Sequence, residues 1–405
     1  MGLPDPAEFP GPPDPSTLAR WRAGDRAARP NRVARLRDRL TKEGVDAYLG
    51  IRPENSRWLT GFALANGEEK VAGHSGQFIV SLETLTVFAD SRYTLQAHRE
   101  APDAQIRDVG YDLPGAWRRL TNEVGARRVA VEGVVPYALW QQLAEAAPDV
   151  ELVPVAGWLE EERSIKTPEE VERIEAAAAV ADRALATLLP EIRAGRTEHE
   201  IALRLEWLIR TAGAEALAFD VACLSGPEAA LPHGSPGDRP ILDGTVLLFD
   251  FGAQVDGYRS DMTRTLFVGE PAGRDLAIYE LVAEAQAAAI AALEEAVGRT
   301  ADGPLPSGRT IDAVARGVIE AAGHGEQFGH GTGHGIGLAT HEDPRLSRVA
   351  SEAPLPSPTV FSVEPGVYLD GEIGVRIEDL VHLDAAAGSV RRLTCFPRDV
   401  LVVGR

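Results

Sequence analysis

Cysteine is scarce in this chain of 405 residues, which contains only Cys223 and Cys395. Two cysteines cannot form the disulfide framework that stabilises many secreted domains. Neither belongs to a C-x-x-C pair, so a metal site built from thiolates is not expected. The sequence therefore favours a protein of the reducing cytoplasm.

Basic residues and long apolar runs are lacking as well. The chain has 41 Lys and Arg against 61 Asp and Glu, which gives a net charge of −20. Binding to nucleic acid or to anionic membrane surfaces requires clustered basic residues, so neither partner is expected. No uninterrupted apolar run reaches the roughly 18 residues that a membrane-spanning helix needs. The remaining composition is that of an ordinary globular protein, long enough for two domains.

Three stretches can be distinguished along the chain. Residues 1–30 are rich in proline and are expected to form a mobile or surface-draped arm. Residues 31–44 have the apolar spacing of an amphipathic helix that ends at Gly44. Short strand-like and helical segments alternate after this helix, so residues 31–160 are expected to form an α/β domain. Residues 165–405 are expected to form a second domain.

The second predicted domain begins with two signals for the start of a helix. Thr167 with Glu170, and Thr197 with Glu200, have the spacing of capping boxes. The first of the two helices is expected to end near Leu189, before a proline. Two consecutive helices are therefore predicted at the start of this domain.

Two motifs recur within the same domain. The triplet GRT at residues 195–197 returns at residues 308–310, a shift of 113 positions. The pattern acid-x-Gly-x-x-x-Asp-Gly starts at Asp250 and again at Glu364, a shift of 114. The near agreement indicates one domain made of two related halves, each with two helices followed by a pair of strands. The whole chain is thus expected to be of the α+β class.

Asp250 follows the apolar run TVLLF, so it lies at the end of a predicted buried strand. The segment FDFGAQVDGYRSDMTRT is expected to form a hairpin around a two-residue turn. A turn at residues 255–256 places Asp250 opposite Asp261, and a turn at residues 256–257 places them diagonally on the same face. Either register brings the two carboxyl groups close together.

Glu364 and Glu378 flank a second predicted hairpin, so four acids are expected to converge. Buried carboxylates repel one another unless one is protonated or a cation lies between them. The segment HGTGHGIGLATHEDP adds His330, His334 and His341, and imidazole is a common ligand of divalent metals. Its glycines break a helix and are expected to hold the backbone close to another segment. A phosphate-binding loop is disfavoured because no lysine follows the glycines.

These residues resemble the pita-bread metallopeptidases, in the branch of Xaa-Pro dipeptidases (prolidases) and Xaa-Pro aminopeptidases. The resemblance spans about residues 30–400. It is strongest in GYRSDMTRT, GHGTGHGIGLATHEDP, SVEPGVY and GVRIEDL, and it extends to NSRWLTGF and DSRY near the N-terminus. It implies five metal ligands, which are Asp250, Asp261, His334, Glu364 and Glu378. It further implies a catalytic domain of two halves preceded by a smaller α/β domain.

The resemblance also implies how the ligands share two divalent ions, most often Mn²⁺ with Co²⁺ or Zn²⁺ as substitutes. Asp261 and Glu378 bridge the ions, Asp250 completes one site, and His334 and Glu364 complete the other. Two such ions lower the pKa of a water, which attacks the carbonyl before proline. Glu364 then carries a proton to the proline nitrogen.

Other residues of the family motif are assigned to the substrate. By the resemblance, His233 and His341 bind the scissile carbonyl and its oxyanion, and His330 lines the proline side. Arg376 orients the ligand carboxylates. The implied substrate is a small Xaa-Pro peptide, and the implied assembly is a homodimer in which the segment ALANGEEKVAGHSG approaches the active site of the partner.

The motifs leave the length of the substrate open. An Xaa-Pro dipeptidase needs a positive group that binds the free carboxylate of proline, for which Lys70, His74 and Arg92 are candidates. These candidates favour a dipeptidase over an Xaa-Pro aminopeptidase acting on longer peptides. A metal-free hydrolase of the creatinase kind and a non-enzymatic binding scaffold share the fold, but the intact set of five ligands argues against both.

Overall fold

A computed structural model describes residues 2–64, 73–299 and 303–404 of the chain. Contacts divide these residues into two units. The N-terminal unit is Ala19–Arg163, and the C-terminal unit is Ser164–Arg405 together with Met1–Leu18. Each unit has its own sheets and its own hydrophobic core.

The N-terminal unit is built around one mixed sheet of six strands. Its helices are α1 (Pro15–Glu43), α2 (Pro53–Thr60), α3 (Thr94–Glu100), α4 (Leu113–Glu123), α5 (Tyr137–Ala146) and α6 (Glu160–Arg163). Its strands are β1 (Ala47–Gly50), β2 (Phe78–Ser81), β3 (Leu85–Phe88), β4 (Gln105–Arg107), β5 (Arg128–Glu132) and β6 (Glu151–Val155). The strand order is β4-β3-β2-β1-β5-β6, and β1, β5 and β6 run parallel. The predicted α/β architecture is confirmed.

Helix α1 is longer than the sequence pattern predicts. It begins at Pro15, not at residue 31, and it continues through Pro30. Proline inside a helix removes a hydrogen bond, which made Pro30 an expected boundary. Buried side chains on both sides of it, such as Trp21 and Leu36, hold the two halves of the helix in place. Residues 15–30, which were expected to belong to a mobile or surface-draped arm, are therefore helical.

In the described part of the C-terminal unit there are four long helices and four sheets. The helices are α7 (Pro168–Leu188), α8 (Glu198–Thr211), α9 (Gly273–Gly298) and α10 (Gly308–Ala321). The strands before α9 are β7 (Ala216–Leu217), β8 (Ala222–Ser225), β9 (Thr245–Phe251), β10 (Ala253–Val255), β11 (Tyr258–Arg259) and β12 (Met262–Val268). Those after α10 are β13 (Gly333–Gly335), β14 (Glu342–Leu346), β15 (Thr359–Val363), β16 (Gly366–Leu369), β17 (Ile373–Arg376), β18 (Asp379–Asp384), β19 (Ser389–Arg392) and β20 (Val402–Val403).

Four antiparallel pairings carry the candidate site. Strand β9 pairs with β12, and β10 pairs with β11 at the tip of the same hairpin. Strand β15 pairs with β18, and β16 pairs with β17 at the tip of a second hairpin. Both predicted capping boxes are present at the starts of α7 and α8.

The internal duplication is confirmed by equivalent contacts in the two halves. Thr197, the cap of α8, forms an isolated bridge with Pro240, and Ser307, the cap of α10, forms the same bridge with Pro354. The two prolines lie 114 positions apart, the same shift as the acid-x-Gly motif. Each half therefore joins the start of its second helix to the segment that leads into its long hairpin.

The GRT match does not follow this equivalence. Thr197 is the capping residue of α8, whereas the third residue of the later triplet, Thr310, lies inside α10 and donates its backbone N–H to Ser307. The residue equivalent to Thr197 is thus Ser307. The duplication is real, but this triplet is a chance coincidence within it.

Helix α9 is long and apolar enough to cross a membrane, by length and composition alone. Counting uninterrupted apolar runs had overlooked it, since polar residues interrupt the sequence. Its buried residues, among them Val282, Ala289 and Leu293, pack in the main core against α10 and the long hairpins. A core helix of this kind meets the same criteria of length and composition.

Asp182 of α7 is a fully buried acid in the C-terminal unit. Its Oδ2 accepts a hydrogen bond of 2.7 Å from the backbone N–H of Cys395. Its Oδ1 has no hydrogen-bond partner among the residues that the structure describes. Burial raises the pKa of this carboxyl group to about 7.

This raised pKa makes stability depend on pH. In the unfolded chain the pKa is about 3.9, so between about pH 4 and pH 7 the folded state binds more protons at this group. The free energy of unfolding should fall by up to about 1.4 kcal/mol per pH unit over that range because of Asp182, and level off above it. Asp182→Asn should remove this part of the slope.

Denaturant unfolding at several pH values, with a metal chelator present, measures the effect. The exposed acid Asp238 provides a matched control, because Asp238→Asn should leave the slope unchanged. Identical slopes for Asp182→Asn and the unsubstituted protein would contradict the prediction.

Candidate metal centre

The first pair of acids lies where the long hairpin β9–β12 ends. Asp250 pairs in register with Thr263, and the tip pairs Val255 with Tyr258. Asp256 and Gly257 at the turn both have positive φ, 43° and 79°, as a type I′ turn requires. This is the second of the two predicted registers. It places Asp261 diagonally from Asp250 on the same face.

The second pair of acids lies between two ladders that share one register. Val363 pairs with Asp379 in one ladder, and Gly366 pairs with Arg376 in the next. Because the same register continues from one ladder into the next, Glu364 and Glu378 lie opposite one another. The prediction that Glu378 returns beside Glu364 is confirmed.

A backbone contact ties the two hairpins together. The backbone N–H of Glu378 donates to the carbonyl of Thr263 at 3.1 Å. The hydroxyl of Thr263 donates to Glu378 Oε2 at 2.7 Å. Since Thr263 is the register partner of Asp250, these bonds bring the acids of both halves into one place.

His334 lies on β13, the strand that pairs with both β14 and β15. Its Nδ1 is 3.0 Å from the carbonyl oxygen of Gly335, so this nitrogen carries the proton and donates. Its Nε2 faces the acids, at 3.2 Å from Glu364 Oε1 and 3.7 Å from Asp261 Oδ2, and would bind a metal once it has lost its proton. The ring is thus oriented by a bond to its own neighbour in sequence.

Two glycines allow β13 to approach its neighbours closely. A β-carbon at Gly333 would lie 1.9 Å from the carbonyl oxygen of Ser362, and one at Gly335 would lie 2.1 Å from that of Asp343. No other residue fits at these positions without moving the backbone. The prediction that the glycines hold this segment close to another is confirmed.

The donor atoms fit a divalent cation. Ligand atoms of Asp261, His334 and Glu378 lie within 4.8 Å of one another. Buried carboxylate oxygens of Asp250 (Oδ1), Asp261 (Oδ1) and Glu378 (Oε1) have no hydrogen-bond partner among the described residues. Leaving such atoms unpaired is costly, and a cation would satisfy them. A set of carboxylate oxygens with one imidazole suits divalent metals of hard to intermediate character.

The mutual repulsion predicted for the acids is visible in their pKa values. Burial and the neighbouring carboxylates raise the pKa of Asp261 and Glu378 well above the usual range. Burial also raises the pKa of Asp250. Burial alone would raise the pKa of Glu364, but its hydrogen bond with His334 holds it at about 2.

Arg376 is buried and connects the acids to the substrate side of the cavity. Its Nη2 donates to Asp250 Oδ2 at 2.6 Å, and its Nε donates to the hydroxyl of Thr263 at 2.8 Å. Its Nη1 donates to the hydroxyl of Tyr368 at 2.8 Å. The guanidinium thus holds Asp250 directly and, through Thr263, holds Glu378.

Tyr368 was not singled out in the sequence, although it ends the motif SVEPGVY. Its hydroxyl lies 2.8 Å from Nε2 of His330, and Nδ1 of His330 lies 2.7 Å from the carbonyl oxygen of Gly331. Since Nδ1 donates to that carbonyl, Nε2 accepts a hydrogen bond from the hydroxyl of Tyr368. A continuous chain of hydrogen bonds therefore runs from Asp250 through Arg376 and Tyr368 to His330.

One cavity of about 600 Å³ contains all the site residues predicted from the sequence. Its walls include the five predicted ligands, Arg376, and the three predicted substrate histidines, which are His233, His330 and His341. Apolar walls are added by Phe219, Pro232 and Val349. The cavity therefore combines a charged, buried floor with a mixed, more exposed mouth.

Arg345 is a second cavity residue that the sequence reading missed. Its side chain is exposed, and its guanidinium forms no hydrogen bond or ion pair with any residue of the described ranges. It is the register partner of His334 and directly follows the motif HGTGHGIGLATHEDP, four residues after His341. A free guanidinium at the mouth of the cavity is suited to bind an anionic group of a ligand.

The basic residues proposed from the N-terminal segments have other surroundings. His74 Nδ1 contacts Gln77 Oε1 at 3.1 Å, and Arg92 forms an ion pair with Asp90 at 2.8 Å. Lys70 and most of the segment ALANGEEKVAGHSG lie outside the described residues. Among the described residues of the C-terminal unit, Arg345 is thus the better candidate for binding a carboxylate.

Comparison with known proteins identifies the family. Residues 172–385 match the model of metallopeptidase family M24, and residues 32–165 match the creatinase/prolidase N-terminal domain. The chain belongs to metallopeptidase family M24. This confirms the resemblance inferred from the motifs, the metallo-exopeptidase class, and the pita-bread fold with its smaller N-terminal domain.

Several similar proteins align with nearly the whole length of this chain. An Xaa-Pro dipeptidase of Pyrococcus furiosus is 32% identical, over 91% of this chain and 99% of its own. The structure of an Xaa-Pro dipeptidase from Bacillus anthracis has a TM-score of 0.81 and 32% identity, covering 92% of this chain and 99% of its own. The structure of an X-Pro aminopeptidase from Thermotoga maritima has a TM-score of 0.78 and 34% identity, with the same coverage.

The geometry predicts that Asp261 is needed for metal binding. Asp261→Asn replaces a carboxylate with a neutral amide, which binds cations poorly, so the bound divalent metal should fall and activity should fall with it. Elemental analysis after reconstitution with Mn²⁺ measures this loss. Asp370→Asn, which changes an exposed acid of the second hairpin turn, is the control and should bind metal normally. Unchanged metal content in Asp261→Asn would contradict the assignment.

Proposed function

We propose that this protein is an Xaa-Pro dipeptidase that binds two Mn²⁺ ions. The observation that carries the proposal is the convergence of five metal-binding side chains, three histidines and an unpaired arginine in one cavity. The names of the similar proteins from Pyrococcus furiosus and Bacillus anthracis support the same substrate class. The test is hydrolysis of Ala-Pro by the Mn²⁺-loaded protein, compared with the chelated protein.

The proposed metal arrangement uses all five ligands. Asp261 and Glu378 are assigned to both ions, Asp250 to one, and His334 with Glu364 to the other. Bound divalent metals supply a water of lowered pKa and polarise a carbonyl group. Elemental analysis of the reconstituted protein should give about two metals per chain, as in other two-metal hydrolytic sites. A content that remains at zero would refute this part of the proposal.

Glu364 is a proposed ligand that can exchange a proton with the substrate. Its side chain is 16% exposed, against 6% for Asp261 and 9% for His334. Asp250 is 22% exposed, but its Oδ2 accepts a hydrogen bond from Arg376. The hydroxyl of Ser362 donates to Glu364 Oε1 at 2.9 Å and fixes the carboxylate. We assign to Glu364 the transfer of a proton, which its carboxylate would first accept from the attacking water, to the departing proline nitrogen.

His233 and His341 are assigned to the scissile carbonyl. Both are exposed at the mouth of the cavity. Partial enclosure by the cavity wall and the nearby His334 lower the pKa of His341 to about 4, so its ring is neutral at pH 7 and can donate one hydrogen bond. A neutral donor stabilises a developing oxyanion without repelling the metal ions.

His341→Ala should therefore retain both metals and lose turnover. Removing one oxyanion donor typically lowers kcat by about 10²–10³-fold. The measurement is kcat for Ala-Pro together with the metal content of the same sample. His98→Ala, which changes an exposed histidine of the N-terminal unit, is the control. Loss of metal in His341→Ala would mean that this residue is a ligand.

Arg345 is assigned to the free carboxylate of the dipeptide. A guanidinium binds a carboxylate through two parallel hydrogen bonds, and Arg345 has no other partner in the described ranges. Ala-Pro should therefore be cleaved well, and Ala-Pro-Ala or Ala-Pro-amide poorly, because both lack the carboxylate at that position. His330 is assigned to the wall beside the proline ring.

Arg345→Met should raise KM for Ala-Pro by about 10-fold or more and reduce the discrimination against Ala-Pro-amide. Arg348→Met is the matched control, since Arg348 is three residues away and pairs with Glu320 on the surface. Steady-state kinetics on the three substrates measures both effects. An unchanged preference for Ala-Pro in Arg345→Met would show that another group binds the carboxylate.

An Xaa-Pro aminopeptidase is the second candidate, favoured by the similarity to the enzyme of that name from Thermotoga maritima. It requires an open end where the peptide continues beyond proline. In that case kcat/KM would rise with peptide length, and Arg345→Met would affect long and short substrates equally. The same set of kinetic measurements therefore decides between the two activities.

The proposed assembly is a homodimer in the cytoplasm. The resemblance of the chain to the Xaa-Pro peptidases supports the dimer, and the two free cysteines support a reducing compartment. Sedimentation of the full chain tests the mass of the assembly.

A further inference from the structure

The imidazole of His341 forms no hydrogen bond with the residues that the structure describes, although it contacts the ring of His334 at 4.2 Å between centroids. Its neighbours in sequence behave differently. Thr340 and Glu342 are each only 7% exposed, and both are anchored to other segments. A side chain without bonds of its own depends on its backbone for its position. The anchors on each side of His341 therefore decide where its ring lies.

The first anchor is a buried ion pair. Lys166 Nζ lies 3.4 Å from Glu342 Oε2, and the two side chains are 2% and 4% exposed. The other carboxylate oxygen of Glu342 accepts a hydrogen bond of 2.8 Å from the backbone N–H of Ala339. The carboxylate thus closes residues 339–342 into a turn with His341 inside it.

Lys166 is itself fixed to the sheet that carries His334. Its backbone N–H donates to the carbonyl of Pro358 at 2.9 Å, one residue before β15 begins. Strand β15 pairs with β13, on which His334 lies. The ion pair therefore connects the turn that contains His341 to the sheet that carries His334.

The second anchor is Arg259, at the end of β11. Its Nη1 donates to the hydroxyl of Thr340 at 3.0 Å and to the carbonyl of Ala218 at 3.1 Å. Its backbone N–H donates to the carbonyl of Gly337 at 2.9 Å. Arg259 is two residues before Asp261. This anchor therefore connects the same turn to the β9–β12 hairpin of the site.

We propose that Lys166 and Arg259 are positioning residues for catalysis, which hold residues 337–342 so that the unbonded His341 ring is presented to the substrate. The inference rests on the role proposed above for His341. A buried ion pair is a weak source of stability, because desolvation offsets its attraction, and an apolar pair of similar size is often as stable. Its directional contacts, in contrast, fix geometry. A displacement of about 1 Å at a reacting group can reduce the rate about 10²-fold.

The decisive experiment is a double-mutant cycle on kcat. Lys166→Met/Glu342→Gln removes both charges together, so that no uncompensated charge is left buried. It should retain its metal and reduce kcat for Ala-Pro by about 10- to 100-fold. In the His341→Ala background the same replacement should change kcat less than about 2-fold, since the group being positioned is absent. An equal loss of kcat in both backgrounds would overturn the proposal.

Two conservative variants separate positioning from folding. Lys166→Arg keeps the positive charge and should recover most of the activity that Lys166→Met loses. Arg259→Lys keeps a donor near Thr340 but lacks the two-point contact, so it should lower kcat with little change in KM. A parallel loss of metal and thermal stability in these variants would indicate a structural role and refute the proposal.

A readout independent of activity covers the case in which the proposed function is wrong. The chain has nine histidines, and with ¹³C-labelled histidine the ring resonance of His341 is identified by its absence in His341→Ala. It should be single and narrow in the unsubstituted protein and broadened or shifted in Lys166→Met/Glu342→Gln. An unchanged resonance would overturn the proposal. Failure of the unsubstituted protein to cleave Ala-Pro would instead refute the proposed function. The spectrum would then still test whether the ion pair positions the ring of His341.

Discussion

Four carboxyl groups share one buried cavity, and their mutual repulsion is the constraint on which the rest of the site depends. Within the described residues, Arg376 is the one guanidinium that hydrogen-bonds to any of the four carboxylates. Of these four, it bonds only to that of Asp250. The buried oxygens left over on Asp250, Asp261 and Glu378 require either protons or cations. Because ionisation of these acids and occupancy by metal favour each other, metal affinity and the stability of this part of the fold are thermodynamically linked.

The duplicated architecture explains how such an unfavourable arrangement can form at all. Each half contributes one hairpin with two acids, and each hairpin alone would present like charges on a single face. The bonds from Thr263 to Glu378 join the hairpins through backbone and hydroxyl groups, which carry no net charge. Gln286 of α9 adds to this support by donating to the carbonyls of Val363 and Ile377, on either side of the second pair of acids. Neutral hydrogen bonds thus hold the acids together before any cation offsets their charge.

What could be predicted from the sequence was mainly local. Capping boxes and the hairpin turn are encoded within a few residues. The sequence left two registers open for that hairpin, and the structure shows the one with Asp256 and Gly257 at the turn. The helix that continues through Pro30 could not be predicted locally, because tertiary burial of residues on both sides overrides the preference of proline. Tyr368 lay within a recognised motif, but its role became apparent only from its contacts with Arg376 and His330.

The site also divides into two parts that are exposed to very different degrees. The proposed ligands Asp261 and His334 are buried, whereas His233, His341 and Arg345 are exposed at the mouth of the cavity. Substitutions at the mouth leave the charge balance of the floor unchanged, whereas substitutions in the floor alter the balance of buried charge and with it the stability of the fold. Under the proposed assignment, the same metal centre would serve a dipeptidase or an aminopeptidase. The length of the substrate would then be decided by residues at the mouth, such as Arg345.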